Sequence, residues 1–156
     1  AASSPRLADQ LERAFRGGAW HGPALMELLA GVDHHLAGWR PQPTAHTIAE
    51  LVAHLAFWQA DAARKLAATP RSSGGEEDWQ RPALGSESDW QALCARLEDA
   101  HARLHAAVLQ LDEARLDAVS EGSDTTLRGV LVGTLQHNAY HAGQIALLRT
   151  LAEGAP

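Results

Sequence analysis

The stretch from Thr125 to Ala152 constrains this chain most, because its apolar stripe runs through two histidines. At 100° per residue, Leu127, Val130, Thr134, His137, His141, Ile145 and Leu148 fall on one helical face, which is expected to point into a core. Histidines at i and i+4 stand one turn apart, with Cβ atoms roughly 5–6 Å from each other. Two imidazoles at that spacing can share one metal ion. They can equally be core histidines satisfied by hydrogen bonds, since buried polar nitrogens need partners. Their place at the centre of the stripe, among Leu and Ile, counts toward ligation.

The rest of the chain reads as helices joined by breaks, with no internal repeat, no long strand-like alternation and no Gly-rich phosphate loop. Ser3 or Ser4 with Pro5 signals a helix start, and Leu7, Leu11, Ala14 and Phe15 recur at helical spacing up to Gly17 and Gly18. Gly22 and Pro23 open a short helix through Leu29 that Gly31 closes, and Asp33 caps one further turn. After Pro41 and Pro43, Thr44 or Thr47 caps a long helix from about His46 to Ala68. Its main stripe is Ile48, Leu51, Leu55, Trp58, Ala62 and Leu66. Ala53 and Phe57 lie outside it, so the helix is expected to be covered widely, as a dimer contact would explain. The Pro-, Gly- and Ser-rich segment of residues 69–88 is too long for a tight turn, so it crosses between helices or covers a site. Ser86 or Ser88 caps a third long helix carrying Trp90, Leu93, Leu97, Leu104, Val108 and Leu111. A polar connector from Asp112 to Gly122 leads to the last helix, capped by Asp124 or Thr125. The expected architecture is an all-α helical bundle.

Residues 1–156 make one domain's worth of chain, enough to bury roughly 68–70% of the unfolded surface around a single core. The net charge is −6 with histidine neutral, and no basic run occurs. Nucleic acid and anionic membrane both require a clustered positive face, so neither is an expected partner. Cys94 is the single cysteine, which rules out an internal disulfide and a multi-cysteine metal site and fits a cytoplasmic location. The first fifteen residues lack the apolar core of a signal peptide, and no run of about 18 apolar residues occurs, so neither secretion nor a membrane span is expected.

Nine histidines invite metal hypotheses, and helical geometry separates them. His101 and His105 form a second HxxxH but fall at the edge and flank of their stripe, so both are expected at the surface or rim. His34 and His35 point in different directions, and His46 sits at a helix start; all three are expected to be solvated. His21, between Trp20 and Gly22, lies in a loop and is left as a pocket residue. His54 lies at the margin of its stripe, where a histidine bonded to a carboxylate and a third metal ligand are both consistent with spacing. As a ligand it would complete three nitrogens with an open position for water or substrate. Glu50 or Asp61, on nearly the same side, could then orient His54 or take a proton, although both also read as solvated helix charges.

Two segments, HTIAELVAHLAFW at residues 46–58 and LVGTLQHNAYHAGQIALLR at residues 131–149, resemble the DinB/YfiT-like superfamily of metal-dependent enzymes. AWHGPALMELL, residues 19–29, matches a further segment, and the order of elements fits over essentially the whole chain. The resemblance implies an up-down-down-up four-helix bundle, commonly a homodimer, with a divalent metal held by His54, His137 and His141. The metal could be zinc, nickel, iron or manganese.

Relatives characterised in that superfamily imply an S-transferase that uses a low-molecular-weight thiol such as bacillithiol, mycothiol or glutathione against a small electrophile. A metal with an open position can bind a thiol as the reactive thiolate, so the implied chemistry is sound. Cys94 has no basic neighbour in sequence and is not the expected nucleophile. Hydrolysis by a metal-bound water is the competing activity, and a non-catalytic metal-binding dimer in stress response is the competing class. Trp20, His21, Trp39, Trp58 and Tyr140 discriminate between them: aromatics lining an open pocket favour a bound small molecule, whereas aromatics packed inward leave no substrate cavity.

Overall fold

A computed structural model describes residues 3–69 and 78–154. All elements in that range are helical, apart from an isolated antiparallel bridge between Val119 and Thr126. Helix α1 (Ser3–Arg16) buries Ala8, Leu11, Ala14 and Phe15 and stops at Gly17 and Gly18, the latter at φ 79°, a left-handed conformation that L side chains resist. Ser4 does not cap this helix as expected; its hydroxyl donates to the Leu111 carbonyl at 3.1 Å. Two short helices follow. In α2 (Leu25–Leu29) the Glu27 carboxylate accepts from the Ala24 amide at 2.8 Å, and α3 (His34–Gly38) is capped by Asp33, which accepts from the Leu36 amide at 2.8 Å.

Helix α4 (Ile48–Leu66) begins on a reciprocal cap: Thr47 Oγ1 accepts from the Glu50 amide, and the Glu50 carboxylate accepts from the Thr47 amide, both at 3.1 Å. Every residue from Ile48 to Ala56 is buried, a run that no one-sided stripe produces. The cover comes from the chain's own α3, α5 and α6 packed around this helix, so its wide burial needs no second copy. Ser86, accepting from the Asp89 amide, caps α5 (Glu87–Leu109), and a 3-10 turn spans Glu113–Asp117 within the connector.

Helix α6 (Leu127–Glu153) starts one residue later than expected. Its cap is Thr126, which accepts from the Gly129 amide at 3.1 Å, and not Asp124 or Thr125. The connector explains this. Ser120 N donates to Thr125 O at 2.8 Å and Leu127 N to Ala118 O at 2.9 Å, so the chain doubles back and holds Thr125 in paired backbone.

Two apolar clusters fill the interior. The first joins Phe15 at the end of α1, the first half of α4, Trp90, Leu93 and Leu97 from early α5, and Ala142, Ile145 and Leu148 from late α6. The second joins Ala8 and Leu11, the end of α4 with Ala62 and Leu66, Leu104 and Val108 from late α5, and Leu127 and Leu131 from early α6. Each fully buried Leu in them contributes about 1.5–3 kcal/mol. The buried polar residues His54, Gln59, His101, Thr134, Asn138 and His141 belong to neither cluster. On α6, Thr134, Asn138 and His141 occupy the stretch between the two, as Gln59 does on α4, while His54 lies within the first cluster's run on α4, and the site forms where these residues meet. Of the expected crossover segment, residues 70–77 lie outside the described range, as do Ala155 and Pro156.

Candidate metal centre

Three imidazoles converge where α4 meets α6. His54 Nε2 lies 2.9 Å from His137 Nε2, and His141 Nε2 lies 3.0 Å from the same atom. The three ligand atoms all fall within 4.8 Å of one another. Two nitrogens on a tetrahedral ion with bonds of about 2.0–2.1 Å stand about 3.3 Å apart, so the cluster is close to ligand spacing.

The outward ring nitrogens of His54 and His141 are supported as ligation favours. His54 Nδ1 lies 2.7 Å from Asp78 Oδ1, and His141 Nδ1 lies 2.5 Å from Gln144 Oε1. An acceptor on the far nitrogen fixes the proton there and leaves Nε2 with its lone pair free. Burial pushes His137 down to about 4, helped by His141 and His54 and opposed by Asp78. Burial also lowers His141, against the hydrogen bond it makes to Gln144 Oε1. Both imidazoles are therefore neutral at neutral pH, the form that binds metal. These three histidines could hold a metal ion, and the donor set fits one.

A cavity of about 460 Å³ opens beside the cluster, lined by His54, Trp58, Asp61, Lys65, Asp78 and His137 among others. It accounts for a departure from the expected stripe on α6. His137 and Val130 are only half-buried because they border the cavity, while Leu131, Asn138 and Ala142 take the core positions beside Thr134, His141, Ile145 and Leu148.

The two carboxylates singled out from the sequence are placed differently from that expectation. Glu50 is buried but turned away from His54: it pairs with Arg40, lies 3.3 Å from His46 Nδ1 and completes the Thr47 cap. Asp61 is buried and lines the cavity, where it is held by Arg64 and Lys65. The orienting contact on His54 is made by Asp78. A histidine partner from a loop has no periodic signature, and neither does Trp79, whose indole stacks on His54 and on His46 with ring centroids 3.8 Å apart in each case. Gln144 stood one turn from His141 and was open to helical reasoning.

Among the remaining histidines, His101 overturns its expected surface position. It is 1% exposed, stacks on Phe15 at 3.7 Å, and lies 3.0 Å from Gln59 Oε1 and 2.9 Å from Glu12 Oε2. Helix α1 closes over the face that the α5 stripe alone leaves at an edge. His105 is half-buried, as a rim position should be, and His35 and His46 are exposed. His34 is not simply solvated: it is half-buried, with Nδ1 3.1 Å from Glu87 Oε2. His21 lines a separate recess with the fully exposed Trp20 and with Gln136 and Ala139, apart from the three-histidine cluster. Of the aromatics, Trp58 lines the cavity and Tyr140 is exposed.

The fold and the site define an all-helical protein in which three histidines could hold a metal ion. The chain belongs to the DinB superfamily, whose sequence model matches residues 19–145. A crystal structure of a conserved protein from Enterococcus faecalis is similar with a TM-score of 0.75 over 99% of both chains, at 19% identity, a likeness of fold. No curated protein matches the chain. Among the described residues, no helix is long and apolar enough to cross a membrane.

Proposed function

We propose that this chain is a metal-dependent S-transferase that joins a low-molecular-weight thiol to a small electrophile. The observation that carries the reading is the cavity of about 460 Å³ beside the three Nε2 atoms, within the range of small-molecule sites. His54, His137 and His141 would hold the ion, and Asp78 and Gln144 would fix two of their rings. A bound ion would supply Lewis acidity that favours the thiolate form of a thiol at neutral pH. In the transfer, a sulfur–carbon bond forms, the bond from that carbon to the leaving group breaks, and the leaving group departs with the electron pair. The thiol proton goes to solvent. Trp58 offers an apolar wall for the ligand's carbon skeleton, and the half-burial of His137 keeps that side of the cluster open.

Hydrolysis by a metal-bound water is the weaker reading, because the described lining offers that water no disengaged carboxylate to assist its attack. The lining carboxylates are both engaged, Asp61 by Arg64 and Lys65 and Asp78 by His54 and Trp58. A purely structural metal site is disfavoured by the open cavity. The proposal also includes an up-down-down-up four-helix bundle, supported by the sharing of one apolar cluster between the starts of α4 and α5 and the ends of α1 and α6. A homodimer and a cytoplasmic location are part of the same reading, the latter supported by the single cysteine.

The test is elemental analysis of the wild type, His54→Ala and His137→Ala after incubation with zinc, nickel, iron or manganese, followed by thiol conjugation to a chromogenic electrophile. About one ion per chain in the wild type only, with thiol-dependent conjugation, is expected. Equal metal uptake in all three proteins overturns the site. Metal without conjugation for any thiol overturns the transferase and leaves a binding protein.

A further inference from the structure

The cavity presents a carboxylate at its histidine end and an ammonium at the other. At the histidine end the Asp78 carboxylate lies 2.7 Å from His54 Nδ1 and accepts from Trp58 Nε1 at 2.7 Å. The Trp58 ring comes next, its centroid 6.4 Å from that of His54 and 6.2 Å from that of His137. Beyond the indole the wall holds Lys65, the chain's only lysine. Its ammonium lies 5.9 Å from the Trp58 ring centre and 3.0 Å from Asp61 Oδ2. Asp61 Oδ1 meanwhile accepts from Arg64 Nε at 3.1 Å and Nη2 at 3.0 Å. Asp61 is thus shared between Arg64 and Lys65, and Lys65 is the cation that the described lining presents, in a chain whose net charge is −6.

We propose that Lys65 is the anion subsite of the cavity, binding the carboxylate of an elongated thiol whose sulfur lies at His54, His137 and His141. The inference rests on the thiol reading of the site and adds the ligand's second anchor. An ammonium has three donors, and a hydrogen bond from it to a carboxylate is charge-assisted. Asp61, one turn before Lys65 on α4, is the positioning residue that holds the ammonium at the wall. Lys65 remains 21% exposed, so an arriving carboxylate need not strip a fully buried cation. Asp78 repels the same carboxylate from the histidine end, and the two charges together set the ligand's direction. Length is selected as well. Asp61 follows His54 by two helical turns, about 10 Å of rise, so a thiol with its carboxylate one or two carbons away reaches only one end.

The test is titration calorimetry of metal-loaded protein with ω-mercaptoalkanoates of increasing chain length, each against the mercaptoalcohol of equal length. In the wild type the carboxylate is expected to bind about tenfold more tightly than the alcohol at one favoured length, and not at the shortest. Lys65→Met should remove that preference while leaving the alcohol's affinity unchanged, and Lys65→Arg should keep a preference, with helical circular dichroism and metal content confirming that both variants fold. Equal preference in Lys65→Met, or none in the wild type, overturns the subsite. The thiol reading fails separately: if simple alkanoates lacking sulfur bind as tightly as the thiols and still depend on Lys65, the anion subsite stands and the sulfur end does not.

Discussion

His54 and Asp78 lie twenty-four positions apart and meet with Nδ1 2.7 Å from Oδ1, and the same carboxylate oxygen accepts from Trp58 Nε1 at 2.7 Å. One acidic residue thus fixes the tautomer of a candidate ligand and the orientation of the cavity's indole wall. Asp78→Ala is expected to weaken metal affinity about 10–100-fold, the usual effect of losing such an outer partner, and Asp78→Asn less, because a carbonyl oxygen remains to accept. Competition against a chromogenic chelator measures it. Unchanged affinity in both variants would show that Asp78 merely neighbours the site.

His101 ties three helices together. From α5 it reaches Gln59 on α4 and Glu12 on α1 and stacks on Phe15, and Gln59 Nε2 continues to Asn138 Oδ1 at 3.5 Å. His101→Leu leaves Gln59 without that partner and removes the ring stack, and should lower stability by about 2–4 kcal/mol.

The same residue makes stability fall with acid. Burial holds His101 below the ordinary histidine range, against the pull of Glu12 and with His105 and Arg16 adding to the depression. The unfolded histidine titrates near 6.5, so below that pH the unfolded chain binds the extra proton first and the folded state loses ground as pH falls toward the depressed value. Burial raises Glu12, but its bond to His101 and the nearby cations outweigh that and lower it, so its contribution is lost at still lower pH. Urea midpoints of metal-free protein at pH 7.5 and 5.5 should therefore drop more for the wild type than for His101→Leu. Equal drops would place the acid sensitivity elsewhere.

The contrast between His101 and the histidine pair of α6 shows what the sequence makes legible. A period of 3.6 identifies each long helix, and short-range chemistry identifies its cap, as with Thr47 and Glu50. The same period places His137 and His141 one turn apart. It cannot say which neighbour closes over an edge position, so spacing puts His101 at the rim, whereas Phe15 of α1 stacks on it in the fold. Spacing leaves His54 open for a related reason, since its partners are His137, 83 positions away, and Asp78 in a loop. Glu50 and Asp61 share a helix face with His54, but each found a cation closer to hand.

Cys94 should prove a spectator. Burial pushes its thiol up to about 11, with Glu98 and Glu87 adding to the rise, so the thiolate is scarce at neutral pH. Cys94→Ala is expected to leave metal content and thiol conjugation unchanged. A large loss of conjugation with intact helical content would instead make Cys94 a participant and would undo the assignment of the nucleophile to an external thiol.

Trp79 covers one face of His54 while stacking its other face on His46, each at 3.8 Å. The indole is 38% exposed, so it shields the imidazole from solvent without being sealed in itself. An apolar group at that position restricts the approach of water and of competing chelators to a bound ion, and it does so without donating to the ion. Trp79→Ala should therefore preserve the stoichiometry of about one ion per chain while speeding removal of the ion by excess chelator, on the order of tenfold. The two readouts separate shielding from ligand support. A faster loss at unchanged capacity fits the stacked indole as a shield, whereas a fall in capacity would mean that Trp79 holds His54 in its ligating orientation, and an unchanged rate would mean that the exposed edge of the cluster at His137 is the route by which the ion leaves.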